Sequence, residues 1–321
     1  MSLNADFSAE YAPPTWLKGG HAQTVVPKFV RQATIDYRRE LRADSHGTAQ
    51  VAYDFVDGAA DAPLVVLFHG LEGSSSSHYA IALAHAVRQR GWRYVVVHFR
   101  SCGGVPNTSP VFYHSGDSAE IAFVLNQLKQ DNPELFAVGV SLGGNALAKY
   151  LGEEGVQAAC SAAASISAPL DLPAAAIALR HPVSRRIYIP YFLRTLVPKA
   201  RALCTDAALE QKLRHCRSLT EFDNLFTAPL HGFADAQDYY RRASSKPLLP
   251  EITVPTLILN AQNDPFLPAS ALPRAHEVSR TVTLLQPAQG GHVGFLDTRR
   301  HDKLSWLPET VLDFFAMHRK L

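Results

Sequence analysis

The stretch Leu135-Phe-Ala-Val-Gly-Val-Ser-Leu-Gly-Gly-Asn145 joins an apolar run of strand length to a segment with the composition of a helix. Its centre, Gly139-Val-Ser-Leu-Gly143, has the spacing G-x-S-x-G, which is typical of a serine at a sharp turn from strand to helix. Side chains two residues before and after the serine would collide with that turn, so glycine is needed there. A simple Gly/Ser turn has the same pattern. The prediction that Ser141 is a nucleophile therefore depends on partners downstream.

A serine at such a turn works with an acid and then a histidine, in that order along the chain. Asp264 stands in a turn just after the apolar run 256–259, and His292 lies in the glycine-flanked segment Gln289-Gly-Gly-His-Val-Gly-Phe295. An ordinary Asp-Pro turn or a surface histidine would explain either residue taken singly. Because the order is the required one and each residue follows a predicted strand, we predict that Ser141, Asp264 and His292 form a catalytic triad.

Two backbone N–H groups are needed to hold the oxyanion that such a serine generates. The run Phe68-His-Gly-Leu-Glu-Gly73 follows the first buried strand, and its turn would direct the N–H of Leu71 at the same oxygen as that of Leu142. We therefore predict Leu71 and Leu142 as the oxyanion-hole donors. We interpret His69 as a residue that stabilises the turn.

The succession of apolar runs predicts the architecture. Short continuous apolar runs separated by helix-length segments are typical of strands buried between two layers of helices. The segment 33–56 alternates instead, which indicates an antiparallel edge hairpin with one wet face. We expect an α/β protein with a mostly parallel, doubly wound sheet and an N-terminal antiparallel edge. The predicted buried strands are 64–68, 94–98, 135–138, 158–167, 256–259 and 282–285, and the predicted helices include 78–90, 117–130 and 307–318.

Residues 168–250 interrupt this succession with prolines, several aromatic residues and many basic ones. The segment is too long for a structureless loop in a compact domain, so we predict a helical insertion. Its place between a strand and the loop of Asp264 puts it over the carboxyl ends of the strands, where α/β sheets bind ligands. The chain is therefore predicted to form a single domain, 1–321, with a helical cap at 168–250.

The composition of the chain indicates which classes of partner and which cellular location to expect. The chain has 321 residues, 47% of them hydrophobic, and a net charge of +2. Its Lys and Arg residues are scattered, so we expect no nucleic-acid partner. The sequence lacks a signal-peptide pattern and any run of about 18 apolar residues, and its four cysteines have neither disulfide nor zinc spacing. We expect a cytoplasmic location, reduced cysteines and no transmembrane segment. A peripheral membrane contact through the cap stays open, and the oligomeric state is not readable.

Cofactor and metal motifs are missing from the sequence. The chain has fourteen histidines but no H-E-x-x-H, and it has neither G-x-G-x-x-G nor G-x-x-x-x-G-K. We therefore expect no metal and no cofactor. Cys102, in the segment Phe99-Arg-Ser-Cys-Gly-Gly104, has no evident basic activator, and we interpret it as a turn residue.

Several further motifs belong to a known family pattern: Trp16-Leu-Lys-Gly-Gly-His-Ala-Gln-Thr24, His69-Gly-Leu-Glu-Gly73, His98-Phe-Arg100, Tyr113-His-Ser-Gly116, Gly139-Val-Ser-Leu-Gly-Gly-Asn145, Glu221-Phe-Asp223, Thr227-Ala-Pro-Leu-His-Gly232, Asp238-Tyr-Tyr240, Asp264-Pro-Phe266 and Gly290-Gly-His-Val-Gly-Phe295. With these motifs the chain resembles, almost end to end, the YheT-like group of α/β-hydrolases, which is related to eukaryotic lipid-directed hydrolases of the same fold. One departure is Ser101, where the group's F-R-G-C run has glycine. That departure affects a turn and leaves the triad untouched.

The resemblance implies the α/β-hydrolase fold and a serine esterase or lipase-like enzyme that acts on medium-chain or lipid acyl groups. We therefore expect a serine hydrolase that cleaves carboxylic esters through an acyl-enzyme on Ser141, with a small-molecule ester or acyl compound as substrate. Two alternatives stay open. The protein could pass the acyl group to an alcohol as an acyltransferase, or it could be a ligand-binding module of the same fold with little turnover.

Overall fold

A computed structural model describes residues 7, 9–300 and 302–319, which include a mixed sheet of eight strands. The order of the strands across the sheet is β1-β2-β4-β3-β5-β6-β7-β8. Their bounds are β1 (Arg38–Ala43), β2 (Gln50–Val56), β3 (Leu64–Phe68), β4 (Arg93–Val97), β5 (Leu135–Val140), β6 (Ala162–Ile166), β7 (Thr256–Leu259) and β8 (Val282–Leu285).

The first two strands form the antiparallel part of the sheet. Strand β2 pairs antiparallel with both β1 and β4, and the pairings among β3 to β8 are all parallel. The predicted mostly parallel sheet with an N-terminal antiparallel edge is confirmed. The predicted wet face is wrong for β2, because every residue of β2 after Gln50 is buried. Strand β1 covers the outer side of β2 and is itself the edge strand.

Helices lie on both faces of this sheet. Alternate side chains of β3 enter two separate apolar cores, with Leu64 and Val66 in one and Val65 and Leu67 in the other. Burial on both faces explains why the strands read as continuous apolar runs. The helices are α1 (Gly20–Val25), α2 (His78–Gln89), α3 (Ser118–Asp131), α4 (Leu142–Glu154), α5 (Leu172–Ala178), α6 (Pro182–Ala202), α7 (Ala207–Arg214), α8 (Leu219–Phe222), α9 (Ala228–Leu230), α10 (Ala236–Ala243) and α11 (Trp306–Met317).

Helices α5 to α10 occupy the insertion between β6 and β7. Four of them begin after a side chain that accepts a backbone N–H of the first turn, and these caps stabilise helix starts. The capping residues are Asp171 for α5, Asp206 for α7, Ser218 for α8 and Asp235 for α10. A π-helical turn, Asp223–Thr227, joins α8 to α9.

Asn145 joins the insertion to the central layer. This fully buried residue of α4 donates through Nδ2 to the carbonyl oxygens of Ser115 and Ala243, each at 2.8 Å. Its Oδ1 accepts from the Ser245 hydroxyl at 2.7 Å. Because a buried amide is costly unless its hydrogen bonds are made, these contacts hold the end of α10 against α4.

Arg100, in the loop that follows β4, lies at the centre of a buried charge cluster. Its guanidinium is 2% exposed and donates to Asp44 at 2.6 Å, to Asp117 at 3.1 Å and to Glu120. Burial raises the pKa of Asp117 and Glu120, and Arg100 opposes that increase. Without the guanidinium, carboxylates would be buried without a compensating charge.

We predict that Arg100→Met destabilises the fold by about 3–5 kcal/mol, because removing one member of a buried ion pair leaves its partners buried without a compensating charge. The melting temperature at pH 7 should fall by at least about 5 °C. In the variant the Asp117 and Glu120 carboxyls have folded pKa values above their unfolded ones, so they destabilise the fold at high pH and this effect is lost on acidification. The loss of stability relative to the parent protein should therefore be smaller at pH 5 than at pH 7. The exposed Arg88→Met is the control, and an equal loss in both variants would contradict the prediction.

Ser101 has a backbone conformation that favours glycine. Its φ is 65°, a left-handed value that costs a residue with a Cβ about 1–2 kcal/mol. The YheT-like pattern has glycine at this position, and the structure supplies the physical reason for that preference.

We predict that Ser101→Gly raises the melting temperature by about 1 °C, since relief of strain slightly exceeds the added freedom of the unfolded chain. Ser305 is the matched control, because its φ is −77° and its side chain makes no capping hydrogen bond. Ser305→Gly should lower the melting temperature. Calorimetry of the two variants beside the parent tests this, and a lower value for Ser101→Gly would refute it.

Candidate active site

Ser141 stands at the turn between β5 and α4, with φ 54° and ψ −116°. Its N–H donates to the Ile166 carbonyl at 2.8 Å, which fixes the turn against β6. A Cβ at Gly139 would lie 2.4 Å from the Gly143 carbonyl oxygen, and a Cβ at Gly143 would lie 2.5 Å from the Phe68 carbonyl oxygen. Neither position can hold a side chain, as the spacing of the motif predicts.

The structure brings the three residues of the predicted triad together. His292 Nε2 lies 2.9 Å from Ser141 Oγ, and His292 Nδ1 lies 2.9 Å from Asp264 Oδ2. The other carboxylate oxygen of Asp264 accepts the N–H of Phe266 at 2.8 Å. The Phe266 ring stacks on the imidazole with centroids 4.1 Å apart. This arrangement holds the imidazole with Nδ1–H toward the buried carboxylate and Nε2 toward the serine.

The turn after β3 lies against Ser141, since a Cβ on Gly70 would be 3.1 Å from the Ser141 Cβ. The backbone N–H groups of Leu71 and Leu142 donate to no described residue, and Leu142 is the first residue of α4, where no intrahelical acceptor exists. Both groups are therefore available to an oxyanion. Whether they bind one stays a prediction.

The hydroxyls of Tyr79 and Tyr113, to which the sequence analysis assigned no role, shape this turn. The Gly70 N–H donates to the Tyr79 hydroxyl at 3.0 Å. The Glu72 N–H donates to the Tyr113 hydroxyl at 3.1 Å, and that hydroxyl donates to the Glu72 carboxylate at 2.6 Å. These two tyrosines fix the residues on either side of Leu71 and so orient its N–H.

His69 stabilises the same turn, as predicted. Its Nε2 accepts the Phe99 N–H at 3.2 Å, so Nδ1–H donates to the Gly70 carbonyl at 2.7 Å. Burial lowers the pKa of His69 to about 3, which keeps the ring neutral. The side chain has no exposed surface and does not reach the cavity as an acid or base.

Gln23 of α1 connects the two loops that carry the acid and the histidine. Its Oε1 accepts from Asn263 Nδ2 at 2.8 Å and from the Gly290 N–H at 2.9 Å, and its Nε2 donates to the Leu17 carbonyl at 2.8 Å and to Gln289 Oε1 at 2.7 Å. Thr24, the next residue, accepts the His292 N–H through its hydroxyl at 2.9 Å. Gln23 is 1% exposed. The only sequence signal for these roles was the Trp16–Thr24 motif, to which the sequence analysis assigned no function.

Two cavities meet at Ser141. The first, which we call the apolar cavity, has a volume of about 170 Å³ and is lined by side chains such as Phe112, Leu172, Ile189, Phe192 and Leu196. The second, which we call the arm-side cavity, has a volume of about 370 Å³. It is lined by residues of the N-terminal arm, which we define as residues 9–37, by the segment after β3 and by α6, including Lys28, Ser76, His78 and Tyr188, together with His292.

One carboxyl group faces the apolar cavity. Asp223 lies in its lining, where burial raises the pKa of the carboxyl to about 6 and the Tyr240 hydroxyl donates to it at 2.7 Å. Phe222 and Asp223 of one motif and Tyr239 and Tyr240 of the other therefore meet at this cavity.

The surroundings of Cys102 include a basic group that the sequence analysis did not identify. Lys199 of α6 lies with its Nζ 3.7 Å from the Cys102 sulfur and 2.8 Å from a Glu72 carboxylate oxygen. This basic neighbour was not evident from the sequence, because α6 brings Lys199 to Cys102 from a distant part of the chain. Burial nevertheless raises the pKa of Cys102 to about 12, so the thiol stays protonated and unreactive.

Neither a metal site nor a membrane span is found in the part of the chain that the structure describes. No three His, Cys, Asp or Glu side chains among these residues cluster as a metal ion would require. No helix within 7, 9–300 and 302–319 combines the length and apolarity needed to cross a bilayer. Independence from metals and cofactors stays a prediction.

The sequence is similar to those of several known proteins. A sequence profile described as the alpha/beta hydrolase fold matches residues 63–298. YheT of Escherichia coli strain K12, an esterase by inference, is 36% identical over 97% of this chain and 94% of its own length. A Saccharomyces cerevisiae protein named medium-chain fatty acid ethyl ester synthase/esterase 2 is 32% identical over 81% of this chain and 63% of its own length.

The fold also matches a solved structure. The Pyrococcus furiosus esterase Pf2001 superposes with a TM-score of 0.59, over 90% of this chain and 95% of that one, at 13% sequence identity. At so low an identity the match concerns the fold alone. The profile match and the relation to YheT extend over most of the sequence, and the chain therefore belongs to the α/β-hydrolase-fold family and, within it, to the YheT-like proteins.

Proposed function

We propose that the protein is a serine hydrolase that cleaves carboxylic esters through an acyl-enzyme on Ser141. The observation that carries this proposal is the chain of hydrogen bonds from Asp264 through His292 to Ser141 Oγ, each 2.9 Å long, at the junction of two cavities. The names of the E. coli and yeast relatives, an inferred esterase and an ester synthase/esterase, support the same bond type.

The proposed reaction has two halves. Ser141 Oγ attacks the ester carbonyl carbon while its proton passes to His292 Nε2, and the oxyanion accepts hydrogen bonds from the N–H groups of Leu71 and Leu142. The carbon–oxygen bond to the alcohol then breaks, and His292 gives its proton to the leaving oxygen. Water attacks the acyl-enzyme, its proton passes to His292 and then to Ser141, and the acid leaves. Asp264 orients the imidazole and stabilises its cation.

The two cavities suit the two parts of an ester. We assign the acyl chain to the apolar cavity, because its lining is dominated by aliphatic and aromatic side chains. We assign the alcohol part, and then the incoming water, to the arm-side cavity, which contains His292. In this proposal the chain is one domain, and the insertion 168–250 acts as a cap, since residues from α5, α6, α8 and α10 line the apolar cavity. A cytoplasmic location remains a prediction from the sequence.

An acyltransferase is the second candidate. Its acyl-enzyme would be the same, with an alcohol in place of water as acceptor. Two observations support this second candidate. The arm-side cavity is wide enough for an acceptor larger than water, and the yeast relative is named as an ester synthase as well as an esterase. Product analysis with added ethanol or glycerol separates the two candidates, because a transferase forms a new ester at alcohol concentrations far below that of water.

We predict that Ser141→Ala abolishes covalent labelling by a fluorophosphonate and turnover of p-nitrophenyl esters, since the variant lacks the attacking oxygen. A series of esters of increasing acyl length should show a maximum set by the apolar cavity. Ser161→Ala is the control, because Ser161 lies at the opposite end of β5 from Ser141 and lines neither cavity. Undiminished labelling of Ser141→Ala would refute the assignment of the nucleophile.

We predict that Gln23 is a positioning residue for the triad. Gln23→Leu removes the hydrogen bonds to the loops of Asp264 and His292, and small displacements of reacting groups can reduce the rate by about a hundredfold. The effect should fall on kcat, with KM little changed, because Gln23 lines neither cavity. Gln262→Leu removes a hydrogen bond to the Gln286 carbonyl and should leave kcat unchanged.

Steady-state kinetics of the two glutamine variants tests this prediction. A rise in KM with unchanged kcat for Gln23→Leu would contradict it. So would an equal fall in kcat for Gln262→Leu, because general loosening of the loop would then explain both effects.

A further inference from the structure

Both cavities that reach Ser141 are bordered by α6. Their exposed lining residues are basic, apolar or hydroxyl-bearing, and none of them carries a negative charge. These residues are Arg180 and Arg185 in the apolar cavity, and Lys28, Phe29, Ser76, Ile187 and Tyr191 in the arm-side cavity.

The surface around these openings has positive charge that the described residues do not neutralise. Residues 172–205 include no Asp or Glu. Lys199 and Arg201 in this stretch form ion pairs with Glu72 and Glu210. The remaining cations are exposed and form no ion pair with any described residue, and they are Arg180, Arg185, Arg186 and Arg194. An anionic partner would therefore gain attraction without displacing an existing pair.

Large apolar side chains lie exposed among these cations. Phe29 is 79% exposed, Ile177 66%, Tyr191 47% and Ile187 45%. Lys28 lies with its Nζ 4.4 Å from the centroid of the Tyr191 ring, which joins the N-terminal arm to α6. Ile187 and Tyr191 stand among Arg185, Arg186 and Arg194 on the same helix, α6. Surfaces that combine exposed apolar side chains with cations are typical of proteins that bind the interface of a membrane. Arginine stems can extend along such an interface while the charge reaches the headgroups.

We propose that the outward side of α5 and α6, with Lys28 and Phe29, is a docking surface for an anionic lipid bilayer. The charge of the surface is complementary to acidic headgroups, and its apolar side chains would enter the region of the acyl chains. Most of the exposed residues that line the two cavities belong to this surface, so a docked bilayer would face Ser141 through the cavities, whereas a bound protein would cover them. Passage of a lipid ester to Ser141 rests on the proposed function, but binding to the bilayer does not.

The test uses the full-length Ser141→Ala chain, so that binding is measured without turnover. We expect it to sediment with vesicles of phosphatidylglycerol and phosphatidylcholine in equal amounts, and to bind pure phosphatidylcholine vesicles much more weakly. Binding should weaken as sodium chloride is raised, because salt screens exposed charges. Wild-type turnover of p-nitrophenyl butyrate, measured without vesicles, tests the proposed function separately.

Matched variants locate the surface. Arg186→Gln with Arg194→Gln should weaken binding to the mixed vesicles by about 25-fold, since each cation near an acidic membrane contributes about fivefold. Arg88→Gln with Lys303→Gln removes the same charge elsewhere and should change binding by less than about twofold. Ile177→Ser should weaken binding by about fivefold through lost apolar burial. None of these residues lines a cavity, so turnover of p-nitrophenyl butyrate in the active background should not change.

Three results would overturn the proposal. The first is no sedimentation with the mixed vesicles at low salt. The second is an equal loss in the two double variants, which would mean that net charge alone governs binding. The third is a dimer in sedimentation velocity that Arg186→Gln with Arg194→Gln dissociates, without any vesicle binding. In that case the surface would be an interface between copies of the chain.

Discussion

The tight turn at Ser141 is the constraint on which the rest of the site depends. Its backbone is in a left-handed conformation that a serine adopts only at a cost, and the surrounding core must hold it there. Gly139 and Gly143 make this possible, because carbonyl oxygens occupy the space where their Cβ atoms would be. The first turn of α4 can therefore pack directly on β3. Ser141 Oγ, the free N–H of Leu142 and the turn that carries Leu71 consequently meet at one edge of the sheet.

Buried polar side chains hold the other parts of the molecule to this turn. Gln23 joins the loops that carry Asp264 and His292, and Asn145 joins α4 to the end of α10. Arg100 neutralises three carboxylates, one just after β1 and two at the start of α3. A buried polar group without partners is costly, so each network permits few alternative arrangements of the segments that it connects. The networks explain how loops that are far apart in sequence are held close enough for their side chains to form hydrogen bonds at the site.

Helix α6 connects the lining of the site to the outer surface. Its buried residues Ile189, Phe192 and Leu196 line the apolar cavity, and Tyr188 lines the arm-side cavity. Its Lys199 forms an ion pair with Glu72, the residue after Leu71, so the position of the helix and the turn that carries the Leu71 N–H are coupled. Movement of α6 would therefore alter both cavities and the orientation of the Leu71 N–H.

Much of the fold and the members of the candidate site could be predicted from the sequence. Strands β3, β7 and β8 have the predicted bounds. Strands β3 and β7 are fully buried, and strands buried on both faces leave a continuous apolar run. The G-x-S-x-G spacing reflects the local steric requirement for glycine at positions 139 and 143. The order of Ser141, Asp264 and His292 follows that of the strands β5, β7 and β8, after which they lie. The alternating pattern of β2 was misleading, because Asp54 on its predicted wet face is buried and forms hydrogen bonds with Arg39 and Ser75, which belong to other segments.

The sequence by itself determined which helices and strands form, and which site residues follow a strand at the same edge of the sheet. It could do so because hydrophobic periodicity, turn chemistry and the need for glycine at close contacts are local properties. Only the tertiary structure decided that Gln23 holds residues 240 and 267 positions away, that Lys199 lies beside Cys102, and that two cavities meet at Ser141. The physical reason is that hydrogen bonds, ion pairs and cavities depend on distances in space, which the packing of the whole chain sets.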